Sequence, residues 1–273
     1  MREEYERRCR QFRENRVTNW HEHIGVGEVC YEDCRRYAEK LTRAMRLCGM
    51  DRTVVTSCIT GGAHAAMETI ARGNDAVGRC CLENPGVLYP LAYVDPVHGE
   101  AALREIERCR RAYGILGIKL YNQYTIDNDI QDPLLDYCAD EGLVVLMHAG
   151  RPTDPGFQPY ITDSTHMARA AKKHPETRMI MAHIAGGGDW NFQLRGLEDA
   201  PNVYVDISGS VLDAGTVEGL VRRIGASRVL FGTDGSFSAS IGRLLAADLT
   251  DDERLTIMDN PVLWSYVKGG ARV

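Results

Sequence analysis

The sequence predicts a single-domain (β/α)8 barrel preceded by an extra N-terminal helix. Three observations carry this. Eight short apolar runs alternate with longer amphipathic segments, the chain of 273 residues matches the length of about 250 residues such barrels take, and polar residues recur near the ends of the runs. The N-terminal helical extension is placed at residues 1–17 and the barrel domain at residues 18–273.

The opening segment, "MREEYERRCRQFRENRV", is almost entirely charged and lacks the apolar stretch of a signal peptide. It reads as a polar helix with Tyr5 and Phe12 as its anchors, covering the barrel bottom or packing on another subunit. The eight strand candidates follow: "TNWHEHI" (18–24), "TVVTSCI" (53–59), "LYPLAYVDP" (88–96), "LGIKLYN" (116–122), "LVVLMHAG" (143–150), "RMIMAHIAGG" (178–187), "NVYVDISGS" (202–210) and "RVLFGTDGS" (228–236). Between them, segments such as "EDCRRYAEKLTRAMRLCG", "EAALREIERCRRAYG", "DPLLDYCADEG", "HMARAAKKHPE" and "GTVEGLVRRIGA" repeat apolar residues at helical spacing, with Gly or Pro near their ends. Strands that alternate with helices pair in parallel, and eight such units close into a barrel more naturally than they form an open sheet. The tail after Asp234 reads as helices completing the outer ring, the last beginning at Asn260 and Pro261.

Composition narrows the function. The formal net charge of -6 argues against nucleic acid as the main partner, since neutralising phosphates calls for a concentrated basic face. No apolar run approaches the roughly 20 residues that span a membrane. Nine cysteines, an odd number with no Cys-x-x-Cys pair, fit reduced thiols in a cytoplasmic protein. The expected partner is a small-molecule substrate, with a homo-oligomer left open.

The candidate site follows from the strand ends, where barrels of this kind carry their chemistry. His21 and His23, two apart on the first strand, point to one side and can converge on a single ion. Alone, such a pair is weak evidence. It gains weight from His148 near the end of the fifth run, His183 near the end of the sixth and Asp234 at the end of the eighth. His21, His23, His148 and Asp234 are the candidate metal ligands, with zinc the first choice of ion and manganese the second. Asp234 is also the candidate general base toward a metal-activated water, and His183 either completes the metal shell or, the reading slightly favoured, stands just outside it and polarises a substrate carbonyl. Lys119, between Ile118 and Leu120 on an apparently buried strand, either binds an anionic group or is carbamylated and bridges a second ion, so one ion is expected, or two with the carbamate. Arg151 is a candidate for a substrate carboxylate, and Tyr121 and Asn122, with Gln123 and Tyr124, for the pocket lining. His64 after "TGGA" and Ser236 beside Asp234 are weaker candidates.

Taken in order, "HEH", "GIKLYN", "VLMHAG", "MIMAHIAGG", "NVYVDISG" and "VLFGTDGS" resemble the amidohydrolase superfamily, and in particular its compact branch that includes aminocarboxymuconate-semialdehyde decarboxylase-like enzymes. The resemblance runs from Thr18 to Val267. It implies a distorted TIM barrel, a divalent metal on the histidines of strands one and five and the aspartate of strand eight, and a strand-six histidine assisting catalysis. Two positions depart from the pattern. Asn19 stands where relatives often carry Asp, and Lys119 occupies a position that the decarboxylase-like branch commonly leaves without lysine. The leading functional expectation is a metal-dependent hydrolase of a small amide, ester or lactone. The alternative is a non-oxidative decarboxylase of a small unsaturated or aromatic carboxylic acid, and a barrel that binds metal without catalysis ranks third.

Overall fold

The computed structural model describes residues 2–26, 30–58, 64–150, 159–185, 190–209 and 213–267. Eight strands lie side by side in chain order: β1 (Thr18–Val26), β2 (Arg52–Cys58), β3 (Leu88–Tyr93), β4 (Gly117–Leu120), β5 (Val144–Met147), β6 (Arg178–Met181), β7 (Val203–Asp206) and β8 (Val229–Leu230). Each pairs in parallel with the next. Main-chain bonds from Trp20 N to Phe231 O (2.9 Å) and from Asp234 N to His21 O (2.8 Å) bring the last strand back against the first. The result is the single (β/α)8 barrel that the alternating runs imply.

The helices are α1 (Arg2–Glu14), α2 (Tyr31–Cys48), α3 (Met67–Glu83), α4 (Glu100–Tyr113), α5 (Asp132–Glu141), α6 (Ser164–Lys173), α7 (Thr216–Ile224), α8 (Phe237–Ala246), α9 (Asp251–Asp259) and α10 (Pro261–Tyr266). Their starts are written locally. Asp163 and His166 form a reciprocal cap on α6, as Thr250 and Glu253 do on α9, and each satisfies main-chain donors that the first turn leaves open. Asn260 caps α10 by accepting from Leu263 N at 3.0 Å, as the Asn-Pro pair suggests.

Strand alternation sorts the core into two parts. Val145, Met147, Met179, Met181, Val203, Val205, Val229 and Phe231 point outward and pack with the helices. Their alternates Val144, Leu146, Ile180, Tyr204 and Leu230 fill the barrel with Trp20, Val54 and Leu91, and Leu263 and Val267 of the C-terminal segment close the floor. Trp264 completes that floor, 5.0 Å from Trp20 between ring centroids, with its indole N–H donating to Thr18 Oγ1 at 3.3 Å. A floor this apolar leaves the opposite end, where the strands stop, as the place for polar chemistry.

The N-terminal helix departs from expectation in two respects. It packs beside α8 on the outside of β8, and the floor belongs to α10. Phe12 is buried, edge-on to Phe231 at 5.6 Å, and Arg8 Nη1 donates to Leu245 O at 2.8 Å and Ala247 O at 3.1 Å. Tyr5, the other expected anchor, is 56% exposed. Its place near the start of an amphipathic helix puts it beyond the reach of the core that Phe12 enters. Cys9, Cys30, Cys34, Cys48, Cys80, Cys81, Cys109 and Cys138 are free thiols, and no described helix is long and apolar enough to cross a membrane.

Phe12→Ala should therefore lower the unfolding free energy by about 3–5 kcal/mol in urea titrations, whereas Tyr5→Ala should change it by no more than about 0.5 kcal/mol. Equal small effects would show that α1 is not part of the cooperative fold.

Candidate metal centre

Six polar side chains meet at the C-terminal mouth of the barrel. The register of β1 shifts between Asn19 and Glu22, and His21 and His23 both turn toward the axis with ring centroids 5.2 Å apart. On β4, Ile118 and Leu120 face the helices, so strand alternation sends the fully buried Lys119 inward. His148 continues the inward series Val144, Leu146 on β5, and His183 and Asp234 follow the ends of β6 and β8. His21 Nε2 lies 3.1 Å from Lys119 Nζ and 3.8 Å from Asp234 Oδ1. His23 Nε2 lies 3.2 Å from Asp234 Oδ1, His183 Nδ1 3.7 Å from Asp234 Oδ2, and His183 Nε2 3.2 Å from His148 Nδ1.

Backbone strain accompanies this convergence. His183 (φ 64°), Ile184 (φ 49°) and Asp234 (φ 45°) occupy the left-handed region, which costs a side-chain-bearing residue about 1–2 kcal/mol each. Hydrogen bonds hold them there: His183 N donates to Asp206 Oδ1 at 3.1 Å, and Asp234 N to His21 O at 2.8 Å. Gly209 makes room, since a Cβ at this residue (φ 79°) would sit 2.8 Å from His183 Cβ.

Asp206 was not among the residues singled out from sequence, although it organises the cluster. It is wholly buried at the end of β7, and its Oδ2 takes a hydrogen bond from His21 Nδ1 at 2.9 Å. Its Oδ1 accepts from Ser208 N at 2.9 Å and from the Ser208 hydroxyl, which also lies 2.9 Å from His183 Nδ1. The signal was available in "VYVDIS", where a carboxylate takes the inward place next after Tyr204 in a strand with no exposed face.

Asn19 finds its reason in Glu22, a second residue the sequence reading passed over. Glu22 is buried and accepts from Thr233 Oγ1 at 2.6 Å, Gly235 N at 2.9 Å and its neighbour His23 N at 3.0 Å. Asn19 Nδ2 donates to the same Thr233 hydroxyl at 2.6 Å, while its Oδ1 accepts from Thr233 N at 3.0 Å and His21 N at 3.2 Å. Thr233 has one hydroxyl proton and gives it to Glu22, so residue 19 must donate. An ionised Asp there cannot. The two β1 residues thus grip both neighbours of Asp234.

Burial and charge set the protonation states. Burial pushes His23 down to about 4, with Lys119 and His21 adding to the effect and the bond to Asp234 opposing it. Burial also holds His183 well below the ordinary histidine range, helped by His21 and His148. For Asp206 and Asp234 burial alone would favour the proton, but the surrounding histidines outweigh it and keep both carboxyls below their usual range. Glu22 moves the other way, raised by burial against the pull of its hydrogen bonds.

The remaining candidates divide. Tyr121 is buried with its ring stacked 5.6 Å from His148 and 6.5 Å from His23, and Lys119 Nζ lies 5.0 Å from its centroid. Asn122 has both ends of its amide bound to main chain, Nδ2 to Gly150 O and Oδ1 to Thr162 N at 3.1 Å each, and so ties two loops together. Arg151 lies outside the described residues.

No curated protein matches the chain in sequence. The family model described as amidohydrolase matches residues 36–259. Among solved structures, 2,6-dihydroxybenzoate decarboxylase from Rhizobium aligns with a TM-score of 0.72 at 17% identity, covering 92% of this chain and 98% of that one. Dihydroxybenzoic acid decarboxylase from Polaromonas, with bound manganese and the inhibitor 2-nitroresorcinol, gives 0.70 at 18% identity, covering 92% and 97%. The 4-oxalomesaconate hydratase of Rhodopseudomonas palustris gives 0.69 at 16% identity, covering 93% and 97%. At such identities the likeness to these structures establishes the fold alone. The family match, running from within α2 to the end of α9, goes further: the chain belongs to the amidohydrolase family.

Proposed function

We propose that this protein is a metal-dependent, non-oxidative decarboxylase of a small aromatic or unsaturated carboxylic acid. The observation that carries the reading is the aromatic wall beside the imidazoles: Tyr121 stacks on His148 and His23, and Tyr93 stands edge-on behind it at 5.6 Å. A planar acid held at the cluster would lie against that wall. The full-length likeness to two dihydroxybenzoate decarboxylases supports the same choice over hydrolysis.

The donor set fits a divalent ion. One ligand atom each from His21, His183 and Asp234 lie within 4.8 Å of one another, and His23 keeps a buried Nδ1 with no hydrogen-bond partner among the described residues. Neutral imidazoles and ionised carboxylates are the states that ligate. His21, His23, His148, His183 and Asp234 are the side chains that would hold the ion, manganese or zinc. When bound it would supply a positive centre to fix a substrate oxygen and offset the charge that develops there. Asp206 keeps the proton of His21 on Nδ1, so that the Nε2 lone pair faces the cluster. The Lys119 ammonium, beside His21, would pair with the substrate carboxylate. As carbon dioxide leaves, its bonding electrons stay on carbon, which takes a proton. Asp234 and His183, 3.7 Å apart, are the groups proposed to relay that proton from water to the carbon.

Hydrolysis of an amide, ester or lactone, the reading the sequence favours, remains second. Its support is Asp234, whose carboxylate at the edge of the cluster could take a proton from water instead.

Three measurements test this account. Manganese-loaded protein should release carbon dioxide from a panel of hydroxybenzoates, lose that activity on chelation, and lose at least about 100-fold of it in Asp234→Asn. No carbon dioxide, together with oxygen-18 from water in the product of an ester or lactone, would overturn decarboxylation in favour of hydrolysis. Asp206→Asn should weaken metal affinity about 10–100-fold by titration, because the amide no longer orients His21 as a charged partner does; unchanged affinity would remove that role. Elemental analysis should find one metal equivalent in both the natural protein and Lys119→Met, whereas loss of a second equivalent would establish a bridging carbamate.

A further inference from the structure

We propose that His64 and Asp95 form a second polar station at the barrel mouth, which receives an acidic oxygen group, phenol or carboxyl, carried by the substrate's ring away from the metal. The proposal rests on the reading of the site as one for aromatic acids.

Asp95 follows β3 and is wholly buried. Its Oδ1 accepts from Val97 N at 3.1 Å, and its Oδ2 takes a hydrogen bond from His64 Nδ1 at 2.8 Å. A buried carboxylate persists when paired, and this pair in turn fixes the imidazole with Nδ1–H on Asp95 and Nε2 directed away. The His64 side chain keeps 38% of its surface exposed against none for Asp95. Among the described residues, Nε2 makes no hydrogen bond. It is therefore an oriented group open to a ligand.

Its place in the fold points to which ligand. His64 lies in the loop after β2 and Asp95 in the loop after β3, at the same end of the barrel as the histidine cluster. One short stretch joins the two sites. Tyr121 stacks on His148 and His23, and three residues later Tyr124 lies 6.0 Å from the His64 ring, with Tyr160 stacked on Tyr124 at 6.2 Å. Cα atoms three residues apart are separated by at most about 11 Å. The tyrosine that flanks the histidine cluster and the one that flanks His64 thus sit on one short stretch of the rim, and the proposed ligand is an aromatic molecule that lies along it. At His64 a phenol O–H donates to the Nε2 lone pair. A ring carboxylate carries no O–H, so its binding takes up one proton from water onto Nε2 and leaves the carboxylate against an imidazolium paired with Asp95.

The test is calorimetric binding of benzoate, 3-hydroxybenzoate and benzene-1,3-dicarboxylate to the manganese-loaded protein. The natural protein should bind the two disubstituted acids about tenfold more tightly than benzoate, the scale of one charge-assisted hydrogen bond. His64→Leu should bind all three within about twofold of one another, since the hydrogen bond is lost. Asp95→Asn, with its fold checked by thermal melting, should lose part of the gain. A gain that survives His64→Leu, no gain in the natural protein, or no binding of any of the three acids overturns the proposal. If the gain appears and is lost as described while no acid releases carbon dioxide, the decarboxylase reading fails and the station stands.

Discussion

The barrel mouth depends on one buried contact, the hydrogen bond between His21 Nδ1 and Asp206 at 2.9 Å. Both side chains are removed from water, so neither keeps its polar character without the other. Asp206 also anchors His183 through its main-chain N–H and through Ser208, so three residues, on strand one and just after strands six and seven, share one carboxylate. That arrangement holds the His23 and His183 imidazoles neutral beside ionised carboxylates, a state that water would dissolve and that a packed apolar floor of Trp20, Leu146, Ile180 and Leu230 preserves. The floor and the cluster are therefore one device. The apolar half excludes solvent and gives the polar half its electrostatic strength.

Strain is concentrated at the same place. His183, Ile184 and Asp234 adopt left-handed backbone, and the groups that hold them there, Asp206, Asn19 and Glu22, are themselves buried on neighbouring strands. Stability is given up locally to aim two side chains, and the cooperative barrel around them carries the cost. The grip of Asn19 and Glu22 on Thr233 and Gly235 also accounts for a departure from the family pattern, because a Glu in the middle of "HEH" takes the Thr233 proton and leaves residue 19 to donate. The two residues form a coupled pair, and neither is interpretable alone.

The alternation of apolar runs with amphipathic segments was enough to determine the eight strands, their order and the last helix at Asn260 and Pro261, because burial on both faces and helical periodicity leave their mark residue by residue. It was also enough to bring His21, His23, His148, His183, Asp234 and Lys119 into view as one set. Strand ends in a closed barrel share a single rim. Only the tertiary structure decided the rest. Asp206 and Glu22 look in sequence like any acid near a strand end, and their roles come from partners about 185 and 210 residues away along the chain. Tyr5 and Phe12 are equivalent anchors on paper, yet only Phe12 meets Phe231, and Asn122 looks like pocket lining but its amide is bound to two main-chain groups. Local pattern records what a residue must be buried against in general. Which group meets it depends on closure of the barrel, and that is a property of the whole chain.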